Sequence, residues 1–231
     1  MKRIPEPELM DSFEQVKAYA AADFSLSDDS FITKIATTVK STGKSLDDNE
    51  LILDLGCGPG NISERLASRW QSSKVLGIDG SSEMLSISRN RLERSKRKGR
   101  LRNLSYMLGE IAQIASGDLG ITDKVELVVS NSLLHHIHDP LMFWKALKFL
   151  GNNDTLTVHR DLRRPSSPEE VSYLQKKYLP NAPEILIRDY LASLYAAFSI
   201  KEVELQIQDV GLNKLEVYEV DDRYLEIIGT I

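Results

Sequence analysis

From Leu51 onward the chain alternates between two hydrophobic patterns. Short, almost unbroken apolar runs are separated by longer stretches with apolar residues every three or four positions. The runs 51-LILDL-55, 74-KVLGID-79, 103-NLSYMLGE-110, 124-KVELVVSN-131 and 155-TLTVHRDL-162 read as strands. Runs such as KVLGI and ELVVS are nearly continuous, which is what strands covered on both faces require. Their alternation with helices makes the sheet parallel. The helix after the first run has Pro59 near its start and Ile62, Leu66 and Trp70 on one face. The next opens on Gly80-Ser81-Ser82-Glu83, a good N-terminal signal.

Beyond Pro165 the period turns helical over 168–179 and 183–198. A helix over 199–210 then begins with a Ser199/Glu202 capping box and stops at Gly211. Two last strand runs, 214-KLEVYEV-220 and 223-RYLEIIG-229, flank Asp221-Asp222 and read as a hairpin. Ahead of all this, 8–24 and 28–40 show helical spacing and end in the turn 41-STGKS-45. The expected architecture is a three-layer α/β sandwich with a mostly parallel seven-stranded sheet ending in an antiparallel hairpin. Residues 1–45 form an N-terminal helical cap, 163–198 a helical insertion in the substrate lid, and 1–231 one domain.

Composition narrows the function classes. With 42% hydrophobic and 27% charged residues, the chain of 231 residues buries an ordinary core. A net charge of −5 argues against nucleic acid as the main partner, because phosphate neutralisation needs a basic face. Only 89-RNRLERSKRKGRLR-102 departs from this, with eight basic residues and one acid. It reads first as the solvated end of a helix and second as a docking surface for RNA. Cys57 is the sole cysteine, so no internal disulfide forms. No apolar run approaches the roughly 20 residues that span a bilayer. The N-terminus lacks the apolar core of a signal peptide. These features predict a cytoplasmic location with no membrane partner, as a monomer or homodimer.

The chemistry centres on 54-DLGCGPG-60. Three glycines at alternate positions after a buried strand let backbone approach a ligand at a helix N-terminus. The spacing G-x-G-x-G differs from the dinucleotide fingerprint G-x-G-x-x-G. Asp54, two residues before the first glycine, can orient the loop and attract a cation. Asp79 ends the next strand, placed to accept bonds from a ribose diol. Cys57 reads as a small residue in a tight turn, since nothing basic adjoins it.

Taken together, 51-LILDLGCGPGN-61 and 75-VLGIDGSSEML-85 resemble the first two motifs of the class I S-adenosylmethionine-dependent methyltransferases, and the resemblance runs from Leu51 to the end of the chain. It implies S-adenosylmethionine as cofactor, S-adenosylhomocysteine as product, and in-line methyl transfer. Asp54, Gly56, Cys57, Gly58, Gly60 and Asn61 would surround the methionine portion. Asp79 would hold the ribose, with Gly80, Ser81 and Met84 near the adenine and Glu110 and Ile111 at its amine and face. Tyr19 would close over the methionine end.

The stretch 130-SNSLLHHIHDP-140 follows the fourth strand. The resemblance places Asn131 and His136 against the donor and His135 at the acceptor. His135 or His136 would be the proton-transfer candidates. His159 and Arg160 would contact the substrate, although Arg160 could equally pair with Asp161. No metal is expected: His-His-x-His has no nearby carboxylate except Asp139, and adjacent histidines rarely point the same way. The fourth strand also lacks the Asn/Asp-Pro-Pro-Tyr/Phe motif of the family members that methylate exocyclic amines of bases and glutamine amides, having Asn131-Ser132-Leu133-Leu134 instead. This disfavours DNA adenine or glutamine methylation, so no DNA partner is expected and a small-molecule acceptor gains. RNA methylation and a donor-binding regulatory module without transfer activity remain the alternatives.

Overall fold

The five residues of β1 (Leu51–Leu55) are all buried, and their alternation divides the core into two. Leu53 and Leu55 face one helical layer, Ile52 the other. In the computed structural model, which describes residues 1–7 and 9–231, β1 pairs in parallel with β2 (Lys74–Asp79) and β4 (Val125–Asn131). The sheet continues through β3 (Leu104–Leu108) on one side and β5 (Leu156–Leu162) on the other. β7 (Tyr224–Thr230) joins β5 antiparallel, and β6 (Leu215–Glu219) closes the edge, giving the order 3-2-1-4-5-7-6. The seven-stranded sheet with an antiparallel end is as expected from the pattern.

One layer holds α2 (Ser25–Ser41), α3 (Asn61–Arg69) and α4 (Ser82–Arg97), which bury Phe31, Ile35, Leu66 and Leu92 against the sheet. The other holds α5 (Ile111–Ser116), α6 (Pro140–Leu150) and α9 (Ile200–Asp209), centred on Phe143 and Trp144. Neither α5 nor α6 is among the elements read from the pattern. At six residues α5 is too short to show a period. In α6 the apolar residues leave no clean polar face, although Asp139 caps it and Pro140 occupies its first turn.

Three elements cover the carboxyl ends of the strands. α1 (Phe13–Ala21) is shorter than the expected 8–24 because Ser12 caps it, accepting from the Gln15 N–H; Glu8 lies outside the described residues. α7 (Pro168–Tyr178) and α8 (Glu184–Ala196) form the insertion, with a small core of Leu162, Val171, Leu174, Leu194 and Ala197. Residues 1–7 cross between them without regular structure. Arg3 donates to the carbonyls of Ala196, His135 and Ile137, and the Ile4 N–H to Tyr195. Among the described residues no helix is long and apolar enough to cross a membrane.

Candidate active site

The loop after β1 turns sharply because Gly56, Gly58 and Gly60 all adopt positive φ, at 66°, 51° and 90°. A side chain at Gly60 would also collide with the Tyr106 hydroxyl, so this position is closed to larger residues twice over. The turned loop presents backbone N–H groups to the end of β2. Gly56 and Cys57 donate to the Ile78 carbonyl, at 2.8 and 3.0 Å. The Gly58 N–H reaches Asp79 Oδ2 at 2.7 Å, and the Ser81 N–H reaches Oδ1 at 2.8 Å. Burial pushes the Asp79 carboxyl up, while those two N–H groups pull it back. Asp54 is more enclosed. Burial raises it to about 7, against the Ser63 hydroxyl that donates to it at 2.5 Å.

A cavity of about 350 Å³ opens beside this loop, within the size of small-molecule sites. Gly56, Gly58, Asp79, Gly80, Ser81 and Met84 form one wall. Glu110, Ile111, Asn131 and Tyr19 continue it, then His135 and His136. The lid adds Asp189, Tyr190 and Ser193, and the hairpin adds Arg223 and Tyr224. Asp54, Cys57, Gly60 and Asn61 stand behind the wall. Asn61 accepts from Arg91 at 2.7 Å, and the Cys57 thiol is buried and pushed well up by that burial. Glu110 is spent in part on a capping box with Gln113. Asn131 Oδ1 is buried with no hydrogen-bond partner among the described residues, an acceptor atom left open at the cavity wall.

His159 and Arg160 do not reach this cavity, which corrects their expected contact with substrate. The His159 ring is fully buried, taken by the hydroxyls of Ser130 and Thr157, and sits edge-on to Phe143. Burial holds it neutral, lowered to about 3. Arg160 grips Glu226 Oε1 through Nε and Nη2, at 2.9 and 2.6 Å, and donates to the Ser27 carbonyl. It cannot pair with Asp161, because successive strand residues point to opposite faces.

Asp161 instead sits under the histidines. Its Oδ2 accepts the Leu134 N–H at 2.6 Å, and its Oδ1 lies 2.5 Å from His135 Nδ1. Burial alone would lower the His135 pKa, but Asp161 and Glu6 override it and leave it raised. Asp161 is correspondingly lowered, by His135 and the Leu134 N–H, despite burial. His136 is held neutral by burial and by His135, lowered to about 3. Glu6, from the N-terminal segment, is raised by burial and pulled back by His135. It is the residue sequence reasoning missed, since an irregular segment has no period to read. Asp139, the carboxylate nearest in sequence, caps α6 through the Leu141 N–H.

Cavity-lining charge is uneven. Among the described residues Asp28, Asp79, Glu110, Asp139 and Asp189 face Arg223 as the one guanidinium. Arg223 lies over the rings of Tyr178 and Tyr224, at 3.7 and 4.4 Å. Its Nε and the Tyr190 hydroxyl are buried without hydrogen-bond partners among the described residues.

Residues 52–150 match the family model described as methyltransferase domain. A trans-aconitate 2-methyltransferase of Rhodopseudomonas palustris (strain BisA53) is 51% identical over 47 residues, 20% of this chain and 18% of that protein. A protein of the same name from Variovorax paradoxus (strain S110) is 35% identical over 88 residues, 38% of this chain and 29% of that protein. The chain thus matches less than a third of the length of these relatives. Among solved structures, a SAM-dependent methyltransferase from Aquifex aeolicus superposes with a TM-score of 0.63 at 20% identity, over 94% of this chain and 98% of that one. The plantazolicin methyltransferase BamL, in complex with a triazolic desmethylPZN analog and SAH, gives 0.68 at 16% identity, over 94% and 91%. At these identities the two structures establish a common fold.

Proposed function

We propose, from the premise that residues 52–150 are a methyltransferase domain on the fold of the class I S-adenosylmethionine-dependent enzymes, that this chain methylates a small carboxylate-bearing molecule. The observation that carries the reading is a single cavity running from the glycine loop and Asp79 to the histidines and the lid, so donor and acceptor share one chamber. Bound S-adenosylmethionine supplies a methyl carbon on a cationic sulfur, open to in-line attack by an acceptor lone pair. Asp79 holds the ribose diol, and Gly80, Met84, Glu110 and Ile111 enclose the base. Gly56 and Gly58 let backbone approach the methionine portion, and the open Asn131 Oδ1 accepts from its ammonium. Tyr19 covers that end, its phenol kept protonated by burial. The acidic lining favours a cationic donor over its neutral product, which aids release.

The acceptor lies between the histidines and the lid. Arg223 Nε and the neighbouring Tyr190 hydroxyl, neither with a hydrogen-bond partner among the described residues by geometry, suit a carboxylate. The matched relatives point the same way, since the trans-aconitate of their name is a polycarboxylate. His135 has both ring nitrogens turned to carboxylates and acts here as a positioning residue rather than a mobile base.

Calorimetry with S-adenosylmethionine and S-adenosylhomocysteine should show micromolar-class binding. Asp79→Ala should weaken it on the order of ten- to a hundredfold, the value of hydrogen bonds to a charged group. Failure of both ligands to bind, or binding of NADH instead, would sink the reading. Methyl-labelled donor incubated with cell extract should place label in the acidic small-molecule fraction. Label in the RNA fraction would favour the basic end of α4 as a docking surface.

A further inference from the structure

Three donor atoms converge where the N-terminal segment crosses the histidine end of the cavity. Glu6 Oε1 lies 3.5 Å from His135 Nε2 and 3.3 Å from His136 Nδ1, and the three fall within 4.8 Å of one another. The side chains are only 9%, 2% and 13% exposed. Glu6 Oε1 and His136 Nδ1 have no hydrogen-bond partner among the described residues. Two buried polar atoms left so are costly, because each forfeits its bond to water without gaining one in the protein. A proton shared between Glu6 and His135 would satisfy that pair, but with the His136 ring proton on Nε2 toward the Pro7 backbone, His136 Nδ1 still faces a carboxylate with nothing between them.

One ion at the centre satisfies all three. Donors bound to a tetrahedral divalent ion at about 2.0–2.1 Å stand about 3.3–3.4 Å apart, close to the two separations from Glu6. The surroundings supply what such a site needs. His135 turns its other nitrogen to Asp161 at 2.5 Å, the carboxylate–histidine arrangement that orients and strengthens a metal-bound imidazole. The carboxylates of Glu6 and Asp161 balance a dication held by two neutral rings. The short 3₁₀ turn Leu134–His136 sets the two consecutive rings 4.2 Å apart at 34°, so both edges reach one carboxylate.

We infer that Glu6, His135 and His136 bind one divalent transition-metal ion of the zinc class. Two imidazoles and one carboxylate with a fourth position open is the donor set of catalytic rather than structural sites. Both histidines border the cavity, so the open position faces the acceptor. On the reading above, a carboxylate or hydroxyl oxygen of the acceptor completes the shell.

The test counts metal on the full chain without donor, so its failure and that of methyl transfer are separable. After chelation, dialysis against Zn²⁺ or Co²⁺ should return one ion per chain with a dissociation constant below about 1 µM. The Co²⁺ form should show the visible bands of a low-coordinate site. Glu6→Gln and His136→Ala, checked for native melting, should each weaken binding at least about tenfold, a lower bound set by the loss of an outer partner. Substoichiometric binding, or binding unchanged in both variants, would overturn the inference while leaving donor affinity as a separate measurement.

Discussion

Asp54 carries its proton near neutrality because the end of β1 is closed to solvent, and a single carboxyl then tilts stability with pH. Its folded pKa is about 7 against an ordinary 3.8. The folded state therefore binds the proton more tightly, and its contribution to stability is complete below about pH 4 and lost as pH rises toward 7. Asp28, raised by burial to about 6, adds to the same slope. Thermal melts of Asp54→Asn from pH 4 to 8 should be flatter than wild type over that window. A wild-type-like slope would place the proton elsewhere. The carboxylate's position was legible from the sequence, two residues before the first glycine. Its seat behind the wall, bonded to Ser63, was not, because that contact depends on how α3 packs.

The same limit governs whole elements. Strand runs and the hairpin were readable because burial on both faces leaves an apolar signature that a single sequence carries. Polar residues inside β5 broke that signature and misled. His159, Arg160 and Asp161 looked like one functional cluster, yet strand alternation sends Arg160 to the face opposite the other two, and of those two Asp161 reaches His135 while His159 is sealed against Phe143. Arg160 instead ties β5 to β7 and α2. Glu226→Ala would strand that buried guanidinium and should cost about 3–5 kcal/mol in denaturant unfolding. Donor affinity should stay within a fewfold, and a large loss of it with stability intact would return Arg160 to the binding machinery. Glu6 is the reverse case, a residue with no periodic context that long-range folding brings to the histidines.

Across the molecule, cohesion is unequal. The two main cores share the sheet, so β1, β4 and β5 are sealed from both sides by α2–α4 and by α5, α6 and α9. The roof, formed by α7 and α8, rests on a small core of five buried residues among those described, including Val171, Leu174 and Leu194. Its other ties are partly buried aromatic contacts, such as Tyr178, Tyr190 and Tyr224, and polar bonds: Gln15 to Asp189, Arg3 to three carbonyls, Ser193 to Glu6, and Lys177 and Tyr178 to Asp222. Each such bond contributes about 0.5–1.5 kcal/mol, far less than the sheet gains by burial. Opening of the roof should therefore precede global unfolding, which would widen the way into the cavity for ligands. Hydrogen exchange should find the amides of α7 and α8 exchanging well before those of β1, β4 and β5. If the roof opens to admit the acceptor, donor alone should slow the glycine loop while leaving α8 fast, and an acceptor that fills the histidine end should slow α8 as well. Equal protection of roof and sheet would mean that entry lies elsewhere, along the α1 side of the cavity where Leu9 and Met10 border it.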